Sequence, residues 1–263
     1  MFADERFSNP TAHYFRFVAT VSFMPWYRSW FDSPYYDVLY SNRNGAEAEA
    51  FVKRLLDFLQ PHPDSIMADI PCGTGRHAQF LAAAGHEVYG YDLSEDNIRE
   101  AKQLEHDKLH FAVLDMRQMF HIRFFDFVFN LFTSLGYFDT DRYDLRIIKN
   151  FSSALKANGT LVIDFFNAYY AIEHLKDNDS VRRNGFNFDI SKRYDGTHIV
   201  KDIRVDKEPD QLFTERVRAY TVNDFERMLQ YAGFKVRIMF GDYDLHPFDQ
   251  STSPRLIIVA DKA

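Results

Sequence analysis

The stretch Ser65-Ile-Met-Ala-Asp-Ile-Pro-Cys-Gly-Thr-Gly-Arg-His77 decides the fold. Met67, Ala68 and Ile70 read as a short buried strand, and Ala78, Phe80, Leu81 and Ala84 recur at helical spacing until the Ala84-Gly-His86 break. A strand therefore passes into a helix through Gly73 and Gly75. Glycines let the backbone take angles barred to other residues and let a ligand approach without a Cβ in the way, while the new helix offers free N–H groups. Such a turn suits a polar or anionic ligand group.

Downstream, Glu87-Val-Tyr-Gly-Tyr-Asp92 reads as a second strand ending on a carboxylate. It lies about 20 residues beyond the glycines, where an acid takes ribose hydroxyls in dinucleotide and nucleoside sites. A nicotinamide dehydrogenase prefers Gly-x-Gly-x-x-Gly, but the frame here is Gly73-Thr-Gly75-Arg-His-Ala78. Asp69, just before the turn, would set a negative charge beside a pyrophosphate. An acid there suits an ammonium instead.

With these residues in view, the chain resembles the class I S-adenosylmethionine-dependent methyltransferases from about Phe31 to the C-terminus, and Asp69 to His77 looks like their first motif. The resemblance implies S-adenosyl-L-methionine as cofactor, lying against Cys72, Gly73, Thr74, Gly75 and Arg76, with Asp69 helping to hold the methionine amino group. It implies that Asp92, with Leu93 beside it, holds the ribose diol. His110 to Met116 looks like the next strand, whose Asp115 pairs with the adenine amino group while the Met116 N–H meets the ring. Phe125 to Tyr137 looks like the fourth strand and the loop beneath the sulfonium, with Asn130 at the strand end. Tyr36 and Tyr40 lie where related enzymes close an aromatic segment over the methionine end; core packing is the alternative. Cys72, the single cysteine, reads as a small packing residue and not a nucleophile.

The rest of the chain supports a doubly wound, Rossmann-like, mostly parallel seven-stranded α/β sheet. Helical patterns at Ala46 to Leu59 and Asp141 to Ala157 alternate with strands as far as Leu161 to Phe165. The rhythm then changes: Phe186 to Tyr194 and Thr197 to Val205 alternate around Asp195-Gly196, a hairpin signal, and Gln211 to Tyr220 suits a further strand. This predicts a small antiparallel insertion at about 180–220. Thr221 caps a helix through Tyr231, and Phe234 to Phe240 and Pro254 to Ala260 supply two last strands; the family resemblance makes the final one antiparallel. Residues 1–45 read as an aromatic arm or lid and 46–263 as the methyltransferase domain.

With 263 residues, 46% of them hydrophobic, the chain supplies a sizeable core for one domain with an insertion. A single cysteine excludes an intramolecular disulfide and fits a reducing compartment. There is no run of eighteen apolar residues, and the N-terminal stretch is broken by Arg16, Pro25 and Arg28; a cytoplasmic location and no membrane partner are expected. A net charge of −7 argues against a broad nucleic-acid footprint. The expected partner is a small-molecule substrate, with a homo-oligomer open.

Methyl transfer needs an acceptor held in line with the sulfonium, so positioning supplies much of the acceleration and a protein nucleophile is not required. Tyr137, Asn167, Tyr169 and Tyr170 follow the fourth and fifth strands at the carboxyl edge, where open α/β sheets bind ligands. Tyr137 and Asn167 are acceptor-pocket candidates, joined by His246 from the loop between the last two strands as a candidate base. His106 and His110 stand four apart, yet no acid completes a ligand set, so no metal is expected. An RNA or protein methyltransferase and a binding scaffold without turnover are the alternatives.

Overall fold

The computed structural model describes residues 26–41, 45–138 and 140–263. Two short helices come first, α1 (Trp26–Phe31) and α2 (Pro34–Leu39), and the longer α3 (Gly45–Leu59) follows. The doubly wound part then runs β1 (Ile66–Asp69), α4 (Ala78–Ala83), β2 (Glu87–Asp92), α5 (Glu95–Ala101), β3 (Leu109–Val113), β4 (Phe125–Asn130), α6 (Asp141–Ala154), β5 (Leu155–Phe166) and α7 (Ala168–Glu173). Four antiparallel strands intervene: β6 (Asn178–Arg183), β7 (Phe186–Tyr194), β8 (His198–Val205) and β9 (Glu208–Arg218). The chain closes with α8 (Val222–Tyr231), β10 (Phe234–Phe240) and β11 (Arg255–Lys262).

The main sheet has the order β10-β11-β5-β4-β1-β2-β3. Neighbours from β3 to β5 are parallel, while β11 runs antiparallel between β5 and β10. Because successive side chains in a strand face opposite ways, Met67 joins one core layer with Phe51, Leu55, Leu81, Val88 and Phe129, and Ala68 joins the other with Val128, Ile147, Phe151 and Ile163. Both faces of the sheet are covered, which is why β1 reads as a continuous apolar run.

The helix read through Ala157 in the sequence ends at Ala154. Leu155 already pairs with Phe125, and Thr160 pairs with Phe127, so the intervening Asn158-Gly159 turn sits inside a bulged strand with Asn158 at φ 60°. The insertion holds four strands where three were expected. The extra one, β6, is polar and largely exposed, so it carries little of the apolar alternation that marks a strand. One face of this second sheet packs on the N-terminal helices: Trp30 and Leu39 join Phe188, Ile190, Ile203 and Phe213. Residues 1–25 and 42–44 of the aromatic arm lie outside the described residues. Among those described, no helix is long and apolar enough to cross a membrane.

Candidate active site

The strand order reverses between β1 and β4, and a cavity of about 730 Å³ opens there, outside the carboxyl ends of β4, β1, β2 and β3. Open α/β sheets bind ligands at such a crevice because adjacent crossovers leave it uncovered. Helices α1 and α2 form its remaining wall, through residues including Phe31, Asp32, Tyr36 and Tyr40.

The two glycines of the first turn do different work. Gly73, at φ +55°, has no atom within 4 Å of where a Cβ would stand, so it opens onto free space. Gly75, at φ +86°, would drive a Cβ to 2.7 Å from the Phe111 ring, and Gly90 on β2 would drive one to 2.4 Å from the same ring. Gly75 is therefore a packing requirement, set by a phenylalanine on β3, and it does not line the cavity. Cys72, Gly73, Thr74 and Arg76 do line it.

Asp69 lies beneath this turn, fully buried behind the cavity wall, which it does not line; no hydrogen bond of ordinary geometry reaches either carboxyl oxygen, although the Ala78 N–H points toward it. Burial pushes its carboxyl up to about 8, and the Ala78 backbone and Arg76 guanidinium draw it only part of the way back. An orphaned buried carboxylate is costly unless a cation or donor reaches it. His77, also buried, is pushed down to about 3 and is neutral.

Asp92 ends β2 and joins two loops: one oxygen accepts the Gly73 N–H at 2.9 Å, the other the Ser94 N–H at 2.9 Å. Ser94 caps α5 and donates its hydroxyl to Asp32 at 2.8 Å, tying that rim to the segment before α2. Leu93, Asp115 and Met116 line the same side. Asp115 is held by Arg117, which donates Nε at 3.0 Å and Nη2 at 2.7 Å while stacking over Phe138 and Tyr143. Tyr36 packs edge-on against Trp30, Phe31 and Tyr40. The Tyr40 hydroxyl donates to Glu215 of β9 at 2.6 Å and accepts from Lys201 of β8. Trp30 Nε1 donates to the same glutamate at 2.6 Å. The insertion thus grips the helices that wall the cavity.

Five of the residues expected at the site do not line the cavity: besides Asp69 and Gly75, Asn130, Asn167 and His246 stand elsewhere. Asn130 is fully buried and donates to the Ile70 carbonyl at 2.7 Å; it pins β4 to the end of β1 and does not reach the cavity. Asn167 spends its amide on the Gln250 and Ser253 carbonyls, both at 2.8 Å, and caps α7. His246 is exposed and paired with Asp242 at 2.8 Å, away from the cavity wall. The β5 and β10–β11 loops both lie at the carboxyl edge, but the cavity spans β4, β1, β2 and β3 and does not extend over β5 or β11. Tyr137 does line it, with its hydroxyl donated to the Thr133 carbonyl and its ring edge-on to Trp26 and Phe31.

The groups that anchor the loop after β4 escape the sequence pattern. Asp164, the one acid in the apolar run Leu161 to Phe166, is the available signal, since a charge in a strand buried on both faces needs a partner.

A doubly wound sheet with one antiparallel strand near its edge, a glycine turn after β1 and an acid ending β2 define a Rossmann-like α/β fold with its ligand crevice at the switch point. Residues 67–159 match the family profile of a methyltransferase domain. YqeM of Bacillus subtilis, named as a methyltransferase, is 28% identical over 207 residues, covering 74% of this chain and 83% of that protein. The dTDP-3-amino-3,4,6-trideoxy-alpha-D-glucopyranose N,N-dimethyltransferase of Streptomyces venezuelae is 30% identical over 133 residues, 49% of this chain and 54% of that one. A crystal structure of a S-adenosylmethionine-dependent methyltransferase from Clostridium acetobutylicum superposes with a TM-score of 0.73 at 18% identity, over 87% of this chain and 96% of that one. Residues 67–159 form a methyltransferase domain, and the chain around it carries the fold of S-adenosylmethionine-dependent methyltransferases.

Proposed function

We propose that this enzyme methylates a small-molecule acceptor, an amine being the favoured class, inside the cavity at the switch point. The observation that carries the reading is the pairing of the open face of Gly73, which lines the cavity, with the buried carboxyl of Asp69 behind it, which meets no side-chain donor. Together they suit a nucleoside that bears an ammonium. A cavity of about 730 Å³ falls within the range that encloses drug-sized ligands and is far from a duplex-sized groove. The similarity to an amino-sugar N,N-dimethyltransferase supports an amine.

In this reading Asp69 takes the methionine ammonium, with Cys72, Gly73, Thr74 and Arg76 along the ligand. Asp92 takes the ribose diol beside Leu93, and Asp115 and the Met116 N–H take the adenine edge. Tyr36 and Tyr40 cover the methionine end, residues 1–45 serve as an arm or lid, and the insertion at about 180–220 braces its described helices, residues 26–41. When bound, S-adenosylmethionine supplies a sulfonium methyl carbon open to attack by an acceptor lone pair. The chain's own contribution is placement: Phe31, Tyr137 and Phe138 offer an aromatic wall that excludes water and orients the acceptor. The Tyr137 and Ser134 hydroxyls are both donated to backbone carbonyls, so an acceptor that attacks through a free lone pair and loses its proton to water afterwards fits best.

Calorimetric titration with S-adenosylmethionine and with NAD tests the cofactor, and absence of S-adenosylmethionine binding below millimolar would sink the proposal. Formation of S-adenosylhomocysteine with a panel of amine metabolites, set against bulk tRNA, tests the acceptor. Turnover with tRNA alone would move the enzyme to the nucleic-acid class.

A further inference from the structure

We propose that Asp164 and Arg255 are positioning residues for methyl transfer, because their buried pair holds the loop after β4 in a conformation that its own residues disfavour. This rests on the methyl-transfer reading of the cavity. Phe132 and Thr133 stand in succession at φ 67° and 58°, in the left-handed region that non-glycine residues rarely occupy and that is especially unfavourable for a β-branched side chain. Such outliers persist only where the surroundings over-determine them. Leu131, Phe132 and Ser134 line the cavity, so one member of the strained pair lies in its wall and the other, Thr133, links two wall residues from behind.

The surroundings consist of one cluster. Asp164, 1% exposed on β5, accepts the Phe132 N–H at 2.9 Å through one carboxyl oxygen, and its backbone carbonyl accepts the Thr133 N–H at 2.8 Å. Arg255 at the start of β11 donates Nε at 2.8 Å and Nη2 at 2.6 Å to the other oxygen, and Nη2 also reaches the Thr133 hydroxyl at 3.1 Å. Tyr243 donates its hydroxyl to Asp164 at 3.1 Å. Two guanidiniums approach the Phe132 ring, Arg76 of the first turn at 5.0 Å and Arg255 at 5.9 Å from its centroid.

A buried ion pair gives little net stability compared with an apolar pair of similar volume, so its value lies in the geometry it imposes. Here both backbone N–H groups of the strained residues, and the one side-chain hydroxyl among them, are bound by Asp164 and Arg255. The pair reads the loop's conformation and fixes the cavity wall from behind, on strands that carry no cavity residue themselves.

The test measures S-adenosylhomocysteine affinity by calorimetry on the full chain, with folding followed by circular dichroism. The double variant Asp164→Asn/Arg255→Gln removes both charges together and leaves none buried alone. It is expected to bind about tenfold more weakly, the scale of releasing one strained residue. Adding Thr133→Gly should recover most of that loss, because glycine takes a positive φ without help; a merely structural role for the pair predicts no such rescue. If the double variant does not fold, Arg255→Lys keeps the charges balanced but cannot fork to Asp164 and Thr133 together, and it should weaken binding several-fold. Wild-type affinity in either variant, or a loss that Thr133→Gly does not repair, would overturn the proposal. A wild-type chain that fails to bind S-adenosylhomocysteine would instead overturn the methyl-donor reading beneath it.

Discussion

Affinity for S-adenosylmethionine should rise with pH along an acid limb set by Asp69. In the free protein, burial pushes this carboxyl up to about 8. At pH 7 the protonated form therefore outweighs the carboxylate by roughly tenfold. An ammonium beside it favours the carboxylate, so the complex binds fewer protons than the free protein and linkage makes affinity increase with pH. Binding at pH 7 should release somewhat less than one proton, about 0.8, and affinity should gain roughly 25-fold, about 2 kcal/mol, between pH 6 and pH 8 once the amine's own titration is included. Above about pH 8 the curve should turn over as an α-amino group loses its own proton. Calorimetry at pH 6, 7 and 8, in buffers of differing ionisation enthalpy, reads both the affinity and the released proton. Equal affinity at pH 6 and 8 with no buffer dependence would refute the reasoning. Asp69→Asn should abolish the limb and also change stability. A carboxyl raised above its unfolded value contributes stability that is present below about pH 3.8 and is lost as pH rises toward 8. The amide cannot ionise, so the variant's melting temperature should fall less than the wild type's between pH 5 and 8.

Three further outcomes follow from the packing. Gly73→Ala should cost cofactor affinity with a small stability loss, since only its φ of +55° opposes the change, whereas Gly90→Ala should destabilise the fold by about 1–3 kcal/mol through collision with Phe111; denaturant unfolding beside calorimetry separates them. Tyr220→Phe removes the 2.9 Å hydrogen bond to buried Asp144, whose carboxyl is raised to about 6 by burial. The loss should be about 1–3 kcal/mol above pH 6, where the carboxylate is ionised and left short of a donor, and smaller at pH 5; urea midpoints at both pH values check the sign. His246→Ala should leave cofactor affinity and turnover unchanged, because the imidazole is exposed and paired with Asp242; a large loss of turnover would return it to the site.

The parallel core and the first turn are legible in the chain's own pattern. Strand and helix periodicity, Gly73, and the acids at 69, 92 and 115 are local signals: each follows from where a residue stands relative to a strand end. Which edge residues share the cavity is a matter of packing. Asn167 and His246 follow strands at the same carboxyl edge as Tyr137, yet they stand over β5 and β10–β11, beyond the strands the cavity spans, and strand order is a long-range property. The same holds for Gly75, whose necessity comes from Phe111, and for Arg255, which meets Asp164 across 91 residues of chain. Side-chain pattern reports burial and backbone geometry one element at a time. Which buried groups meet is fixed when the elements pack, because only then does an unpaired charge or a missing Cβ acquire its neighbour.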